Sequence, residues 1–296
     1  MTQCNNKRLI KTLVFTILAL IAFAANSVLC RWALGEHSID AASFTSIRLI
    51  TGALVLFIII QLNHSGERSA SRGNWWASTM LFAYAITFSY AYITLHTGTG
   101  ALILFGTVQI TMILMSYFRG TRLHLIEWLG VVTAFGGFVY LVLPGIATPS
   151  LKGFILMTAA GIAWGLYTLK GRASTAPLLD TAYNFIRTLP FVLIVVVLSV
   201  LHAHYSIKGV VLAMLSGGIA SGIGYSIWYR ALGGLSSTQA AVVQLSVPVI
   251  AALGGVIFVG EPITLRLSLA GVLILGGILL VVVGRYYFTQ RAARLN

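Results

Sequence analysis

Ten long apolar runs constrain the fold more than any other feature of this sequence. Each run has about 17–25 residues, enough for a helix that rises about 1.5 Å per residue to cross about 30 Å of hydrocarbon. The runs are continuous rather than alternating, which favours membrane-spanning helices over a barrel. They cover Leu9–Leu29, Phe44–Leu62, Trp75–Leu95, Gly98–Phe118, Leu125–Leu143, Gly153–Leu169, Leu178–Leu201, Val210–Ala231, Ser236–Val259 and Leu265–Phe288. The sequence therefore predicts an all-α integral membrane protein with ten transmembrane helices.

The distribution of charge supports a membrane location and argues against a nucleic-acid partner. Hydrophobic residues make up 58% of the chain and charged residues only 8%, whereas a soluble domain carries about 25% charged residues. The net charge of +13 comes from basic residues placed singly or in pairs between the apolar runs. A nucleic-acid surface would gather them on one face. We therefore expect the lipid bilayer, and no nucleic acid, as a partner.

The positions of lysine and arginine also predict the orientation in the membrane. With the N-terminus in the cytoplasm, only Arg31, Lys152, Lys208 and Arg266 fall outside, and the other basic residues between spans fall inside. This bias and the even number of spans predict an inner (plasma) membrane protein with both termini in the cytoplasm. Residues 22–24 resemble a signal-peptide cleavage site, but the apolar stretch continues beyond them, which favours a retained helix.

The two halves of the chain show a faint internal repeat. One offset in numbering places Ile47-Arg48 on Ile186-Arg187, Tyr90 on Tyr229 and Thr99 on Thr238. The shared offset, rather than any single match, indicates a duplication. We predict units at residues 1–146 and 147–296 with five spans each. Since five is odd, the second unit would be inverted, as in many secondary transporters.

A set of short motifs points to a family resemblance. The motifs are Ala163-Trp164-Gly165, Arg187, Tyr229-Arg230-Ala231-Leu232, Pro248, Gly260-Glu261-Pro262 and the glycines Gly271, Gly276 and Gly277. With them the chain resembles the drug/metabolite transporter superfamily, specifically its EamA-type ten-helix members. The first half departs from the pattern, because Asn26 replaces Gly165, Gln109 replaces Pro248 and Arg122 replaces Glu261. The resemblance implies transport of small metabolites by alternating access, through a midplane cavity between the first, third, fourth, sixth, eighth and ninth spans.

Polar and aromatic side chains deep in the spans are the candidate substrate-binding residues. An unpaired amide in hydrocarbon costs several kcal/mol, so such groups must face the protein interior or a water-filled cavity. The candidates are Asn26, Tyr84, Phe88, Phe105, Gln109, Trp164, Tyr225 and Gln244. The alternative is structural, with amides in interhelical hydrogen bonds and aromatic rings in core packing. Trp164 is the strongest candidate, because Gly161 and Gly165 leave space around it.

Four further residues are candidates for gating or hinge motion. Arg48 and Arg187 lie inside the second and seventh spans, where a charge is costly. Their duplication favours a structural or gating role over direct contact with an asymmetric substrate. Pro190 and Pro248 remove backbone donors in mid-span and should kink their helices. No Asp or Glu lies in mid-span, and His96 is the candidate proton carrier nearest the core.

The sequence predicts a secondary transporter that works without a catalytic set, metal or cofactor. We expect it to act as a monomer and to move small metabolites out of the cytoplasm, most of all amino acids with apolar or aromatic side chains. Trp75-Trp76 and the stretch from Thr97 to Phe105 resemble those of bacterial aromatic amino acid exporters. The alternatives are export of a nucleotide-linked or drug-like compound, or a membrane subunit that does not transport. An intramembrane enzyme is disfavoured, since no catalytic pair shares one depth in the sequence.

Overall fold

The computed structural model describes residues 2–62, 72–120, 123–145, 148–172, 174–235 and 237–295. Arg122 and Ser236 of the sequence analysis lie outside these residues. Over the described ranges the regular secondary structure is helical, apart from one isolated bridge between Ile39 and Tyr205. The helices are α1 (Thr2–Gly35), α2 (Ala41–Leu62), α3 (Trp75–Tyr92), α4 (Thr97–Phe118), α5 (Leu125–Val142), α6 (Leu151–Gly171), α7 (Pro177–Ser199), α8 (Ile207–Met214), α9 (Gly224–Leu232), α10 (Ser237–Gln244), α11 (Val247–Gly254) and α12 (Leu265–Leu295). The prediction of an all-helical membrane fold is confirmed.

Two of the spans are built from more than one helix. In the eighth span a π-helical segment, Leu215–Ile223, joins α8 to α9. In the ninth span α10 and α11 are separated by a turn at Leu245 and Ser246, and a π-helical segment, Gly255–Val259, follows α11. Such irregular backbone occurs at membrane depth where it is buried in protein or lines a cavity.

The turn in the ninth span corrects the sequence prediction for Pro248. The prediction placed this proline inside one kinked helix, whereas the structure ends α10 at Gln244 and begins α11 at Val247. Pro248 lies in the first turn of α11, where a missing N–H costs little. Because it cannot donate to the carbonyl of Gln244, a continuous helix would lack one hydrogen bond at this point, which favours the break between α10 and α11. Pro190, in contrast, lies within the continuous helix α7.

Span α3 differs in composition from the other spans. Among the described helices, nine spans are long and apolar enough to cross a membrane, and α3 is not one of them. Its eighteen residues include many aromatic and hydroxyl side chains, among them Ser78, Tyr84 and Ser89, which are buried. A helix that places polar side chains inward is expected next to a cavity rather than in contact with lipid.

Small residues bring the central helices close together. A Cβ on Gly161 of α6 would lie 2.6 Å from Cβ of Thr107 on α4, and one on Gly165 would lie 3.0 Å from Cβ of Thr111. The two glycines thus let α6 pack directly against α4. Large apolar side chains such as Leu198 and Val272 are exposed on the outside of the bundle, where lipid would surround them.

The spans alternate in direction and so define two ends of the bundle. We call the end where α1, α3, α5, α7 and α10 begin the N-terminal face, and the other end the opposite face. Contacts across each face support this assignment. At the N-terminal face, Arg285 of α12 donates to Glu127 of α5 at 2.9 Å. At the opposite face, Asp40 accepts from the backbone N–H of His204 at 3.1 Å.

Candidate functional site

One deep cavity of about 410 Å³ lies between the central helices. It is bounded by α1, α3, α4, α6, α10, and the π-helical segment together with α9. These belong to the first, third, fourth, sixth, eighth and ninth spans, which the family resemblance implies as the cavity lining. All eight candidate substrate-binding residues line it: Asn26, Tyr84, Phe88, Phe105, Gln109, Trp164, Tyr225 and Gln244. The structure therefore brings the eight together, while their part in binding stays a prediction. Pro190, Pro248, Arg48 and Arg187 do not line the cavity wall.

Four aromatic rings form one side of the cavity, which we call the aromatic wall: Tyr84, Trp164, Tyr167 and Tyr225. Trp164 is at its centre, with ring centroids 4.8 Å from Tyr84, 5.1 Å from Tyr167 and 5.4 Å from Tyr225. The last two rings are stacked on Trp164 at 24°. Such a surface offers a large contact area to an apolar side chain and negative ring faces to an ammonium group.

Four aromatic residues of the cavity were not among the predicted candidates: Phe23, Tyr167, Trp228 and Tyr229. Helical spacing could have found three of them, because Tyr167 follows Trp164 by three residues, and Trp228 and Tyr229 follow Tyr225 by three and four. Residues three or four apart share one face of a helix. The hydroxyl of Tyr167 also bonds Thr181 Oγ1 at 3.2 Å, and Thr181 bonds the hydroxyl of Tyr229 at 2.7 Å. Through Thr181, these bonds hold Tyr167 of the aromatic wall, and Tyr229 beside it, against α7.

A buried hydrogen-bond network lies at the deep end of the cavity. The Asn26 amide donates to the Tyr84 hydroxyl at 3.2 Å and accepts from Ser216 Oγ at 2.6 Å. The guanidinium of Arg48 donates to the same Tyr84 hydroxyl at 2.9 Å. The network joins α1, α2, α3 and the π-helical segment, and it holds the Tyr84 ring against Trp164.

The two glutamines stand apart from this network. Gln109 is almost fully buried and Gln244 is half-buried, and both line the cavity. Within the described part of the chain, neither amide has a hydrogen-bond partner. The interhelical bond that was the alternative for these residues is therefore not present there. Since a polar group at this depth needs a partner, both amides are available to water or to a ligand in the cavity.

Arg48 and Arg187, which the repeat pairs, have different surroundings. Arg48 is 2% exposed and stands over the rings of Tyr84 and Phe88, with its Cζ 5.1 and 4.9 Å from their centroids. Arg187 is only half-buried, and it donates to the backbone carbonyl of Arg72 at the N-terminal face. Sequence offset alone could not separate a central arginine from a peripheral one.

The cavity reaches the surface at the N-terminal face and is closed at the opposite face. Its wall extends to Arg172, an exposed residue, and to Ser174 and Leu235 where α6 and α9 end. At the opposite face, Glu261 accepts from Arg31 Nε at 2.8 Å and from the backbone N–H of Thr97 at 2.7 Å. Among the described residues, the cavity is thus open to the surface at the N-terminal face and not at the opposite face.

Hydrogen bonding determines the ionisation of Glu261. Burial by itself raises the pKa of this carboxyl, but hydrogen bonds from His96, Arg31 and Thr97 outweigh it and lower the pKa to about 2. His96 Nδ1 lies 3.1 Å from Glu261 Oε1. His96 therefore belongs to the closure of the opposite face rather than to the cavity, and its pairing with Glu261 was not predicted from the sequence.

These features define a multi-pass helical membrane protein that surrounds one cavity of small-molecule size. The chain belongs to the EamA-like transporter family, whose profile matches residues 10–143 and again residues 151–283. It is accordingly a membrane transporter of small molecules. The two matches agree with the predicted duplication, and the division at residues 146 and 147 stays a prediction.

Two similar proteins and one solved structure have names that state no more specific function. The chain is 48% identical over 286 residues to "Uncharacterized protein PA1977" of Pseudomonas aeruginosa. This alignment covers 96% of this chain and 98% of that protein. It is 21% identical over 257 residues to "Uncharacterized transporter YoaV" of Bacillus subtilis. This alignment covers 82% of this chain and 88% of that protein. A solved structure described as "Crystal structure of protein" matches with a TM-score of 0.59 and 18% identity, over 89% of this chain and 97% of that chain. This last likeness supports the fold.

Proposed function

We propose that this protein exports amino acids with apolar or aromatic side chains from the cytoplasm by alternating access. One observation carries the proposal: the cavity joins the aromatic wall to amides that have no partner in the described protein. An amino acid presents the matching groups, an apolar side chain and a polar ammonium and carboxylate head. A substrate that was apolar throughout would leave Gln109 and Gln244 without hydrogen bonds, at a cost in free energy.

The dimensions of the cavity support a small substrate. Pockets for drug-sized ligands measure about 300–1,000 Å³, and this cavity of about 410 Å³ lies in the lower part of that range. Among the described residues of the cavity wall, Arg172 alone is charged, and it lies at the mouth. A dianionic, nucleotide-linked substrate would require several cations around it. The lining therefore favours a monoanionic or zwitterionic molecule.

The accessibility of the cavity agrees with export from the cytoplasm. If the positive-inside rule gives the orientation, the N-terminal face is cytoplasmic and the structure is open inward. Substrate would enter between α6 and α9 and leave after the opposite face opened. The carboxylates in the described residues lie at the two faces rather than in mid-span. This placement supports movement down a gradient rather than coupling through a buried carboxylate.

The test is transport by the purified protein in liposomes. Vesicles are loaded with labelled phenylalanine, tryptophan, leucine, a nucleotide sugar or a cationic drug, and efflux is compared with that from protein-free vesicles. We expect efflux of the amino acids that saturates with concentration. Efflux of another class, with none of the amino acids, would refute the proposal. Accessibility of a C-terminal tag in intact and permeabilised cells tests the inner-membrane location and the cytoplasmic termini.

A further inference from the structure

Arg48 carries a positive charge that the described protein does not balance. Its side chain is 2% exposed, and its Nε and Nη1 have no hydrogen-bond partner. Its Nη2 donates to the neutral hydroxyl of Tyr84. A buried guanidinium normally has a carboxylate opposite it, because the desolvation of an unpaired ion is costly. In the part of the bundle that the structure describes, the interior therefore holds a cation without an anion.

Each carboxylate among the described residues has partners elsewhere. Asp40 and Asp180 accept from backbone N–H groups near the two faces, at His204 and Gly73 respectively. The remaining pairs are Glu36 with Lys208, Glu127 with Arg285, and Glu261 with Arg31. All of these lie at the ends of spans. The rings of Tyr84 and Phe88 provide cation–π contact to Arg48, but this contact does not satisfy its N–H groups.

The Tyr84 hydroxyl connects this charge to the cavity. Its oxygen accepts one hydrogen bond from Arg48 and one from Asn26, and these bonds occupy both lone pairs. Its own proton has no acceptor among the described residues. Because Tyr84 lines the cavity, that proton can be donated to a ligand there. Donation from a hydroxyl that is itself polarised by a cation strengthens the bond to an anion.

One more donor lies next to Tyr84. The Asn26 amide has a second N–H beyond the one given to Tyr84, and Asn26 lines the cavity. Nothing that carries a negative charge lies among these donors in the described protein. The deep end of the cavity is therefore a set of neutral donors with a buried cation behind it.

We propose that Arg48, Tyr84 and Asn26 form a subsite for the carboxylate of the substrate. The inference rests on the proposed function and extends it, because it assigns the substrate class as carboxylates. The Tyr84 hydroxyl and the Asn26 amide bind the carboxylate, and Arg48 neutralises its charge from behind. The substrate side chain then lies along the aromatic wall, since the Tyr84 ring is also 4.8 Å from that of Trp164.

A structural role for Arg48 makes a different prediction. If the arginine only holds α2 against α3 through Tyr84 and Phe88, the protein does not distinguish a charged ligand from a neutral one of the same shape. The probes are therefore 3-phenylpropanoate and 3-phenylpropanamide, which differ in charge and have nearly the same size. Binding of each to the purified protein in detergent is measured by calorimetry, with thermal unfolding as the check that each variant is folded.

We expect the wild-type protein to bind the carboxylate at least tenfold more tightly than the amide. Tyr84→Phe removes the donated proton and keeps the ring, so it should reduce that ratio several-fold. Arg48→Gln should abolish it. The matched controls are Tyr90→Phe, on the exposed side of the same helix, and Arg119→Gln, at the exposed end of α4. Both should leave the ratio unchanged.

Equal binding of the two probes by the wild-type protein would overturn the subsite. A ratio that Tyr84→Phe leaves unchanged would also overturn it, and this variant decides the matter if Arg48→Gln does not fold. Liposome transport separates the two proposals. Transport of phenylalanine without carboxylate preference refutes the subsite alone. A carboxylate preference lost in Tyr84→Phe, with no transport of any amino acid, refutes the proposed function alone.

Discussion

Arg31 and Glu261 form an ion pair that closes the opposite face of the bundle, with Arg31 Nε 2.8 Å from Glu261 Oε1. The same arginine donates to the carbonyls of Tyr92 and Ile93, at the end of α3, at 3.1 and 3.0 Å. Glu261 in turn accepts from the first N–H of α4, at Thr97. The pair thus ties α1, α3 and α4 to the connection before α12, and opening of this face must separate them.

Loss of the ion pair should weaken the structure in a pH-dependent way. The pKa of Glu261 in the folded protein, about 2, lies below its ordinary value of 4.5. A lowered pKa means that the stabilisation is fully present above pH 4.5 and is lost as the pH falls towards 2. We expect Glu261→Gln to lower the melting temperature in detergent by the same amount at about pH 7 and pH 5.5, and by less at about pH 3. If the melting temperatures of the wild type and Glu261→Gln became equal above about pH 5, the stabilising role of the ionised Glu261 would be contradicted.

The contact between α6 and α4 should not tolerate a single methyl group. A Cβ on Gly161 would meet Cβ of Thr107 at 2.6 Å and the carbonyl oxygen of Leu104 at 3.0 Å. Because a backbone atom cannot move aside freely, Gly161→Ala should destabilise the protein by about 1–3 kcal/mol. Gly136→Ala is the matched control, since a Cβ there meets nothing within 4 Å. Thermal unfolding of the two variants measures the difference, and equal melting temperatures would contradict the prediction.

The Gln109 amide should matter for substrate affinity and not for stability. It has no partner within the described residues, so Gln109→Leu removes no hydrogen bond of the protein and should change the free energy of unfolding by less than about 1 kcal/mol. If the amide bonds the substrate, KM for transport should rise about fivefold to tenfold. Gln61→Leu, at an exposed position of α2, is the control. A large loss of stability would indicate a structural hydrogen bond instead.

The break before Pro248 should control the rate of the conformational change. Pro248→Ala supplies the N–H that the Gln244 carbonyl lacks, which favours one continuous helix through the ninth span. We expect slower transport in both directions and a higher melting temperature. Pro190→Ala provides the comparison, because α7 is already continuous there and the side chain is exposed. Normal rates for Pro248→Ala in both directions would rule out a hinge at this position.

The sequence predicted the spans and much of the cavity for a clear physical reason. Amides and mid-span aromatic rings are costly in lipid, so residues such as Gln109 and Trp164 had to face inward, where the structure places them. The pairing of Arg31 with Glu261 could not be read in this way, because the two lie 230 residues apart in the chain. The repeat also suggested one role for Arg48 and Arg187, and only tertiary packing distinguishes them.

Trp164 should contribute most of the apolar binding energy in the cavity. Its ring contacts Tyr84, Tyr167 and Tyr225. Trp164→Ala therefore removes the centre of the aromatic wall. We expect it to weaken the binding of an aromatic amino acid by about 1.5–3 kcal/mol, which is roughly tenfold to a hundredfold. Trp164→Phe, which keeps a ring, should recover part of that loss. Trp76→Ala, at a tryptophan on the exposed side of α3, should have no effect. The measurement is the KM of liposome efflux for tryptophan and for leucine. Because ring stacking adds to area burial, the rise in KM caused by Trp164→Ala should be larger for tryptophan than for leucine. An equal effect on alanine transport would show that Trp164 supports the fold rather than the binding of the substrate side chain.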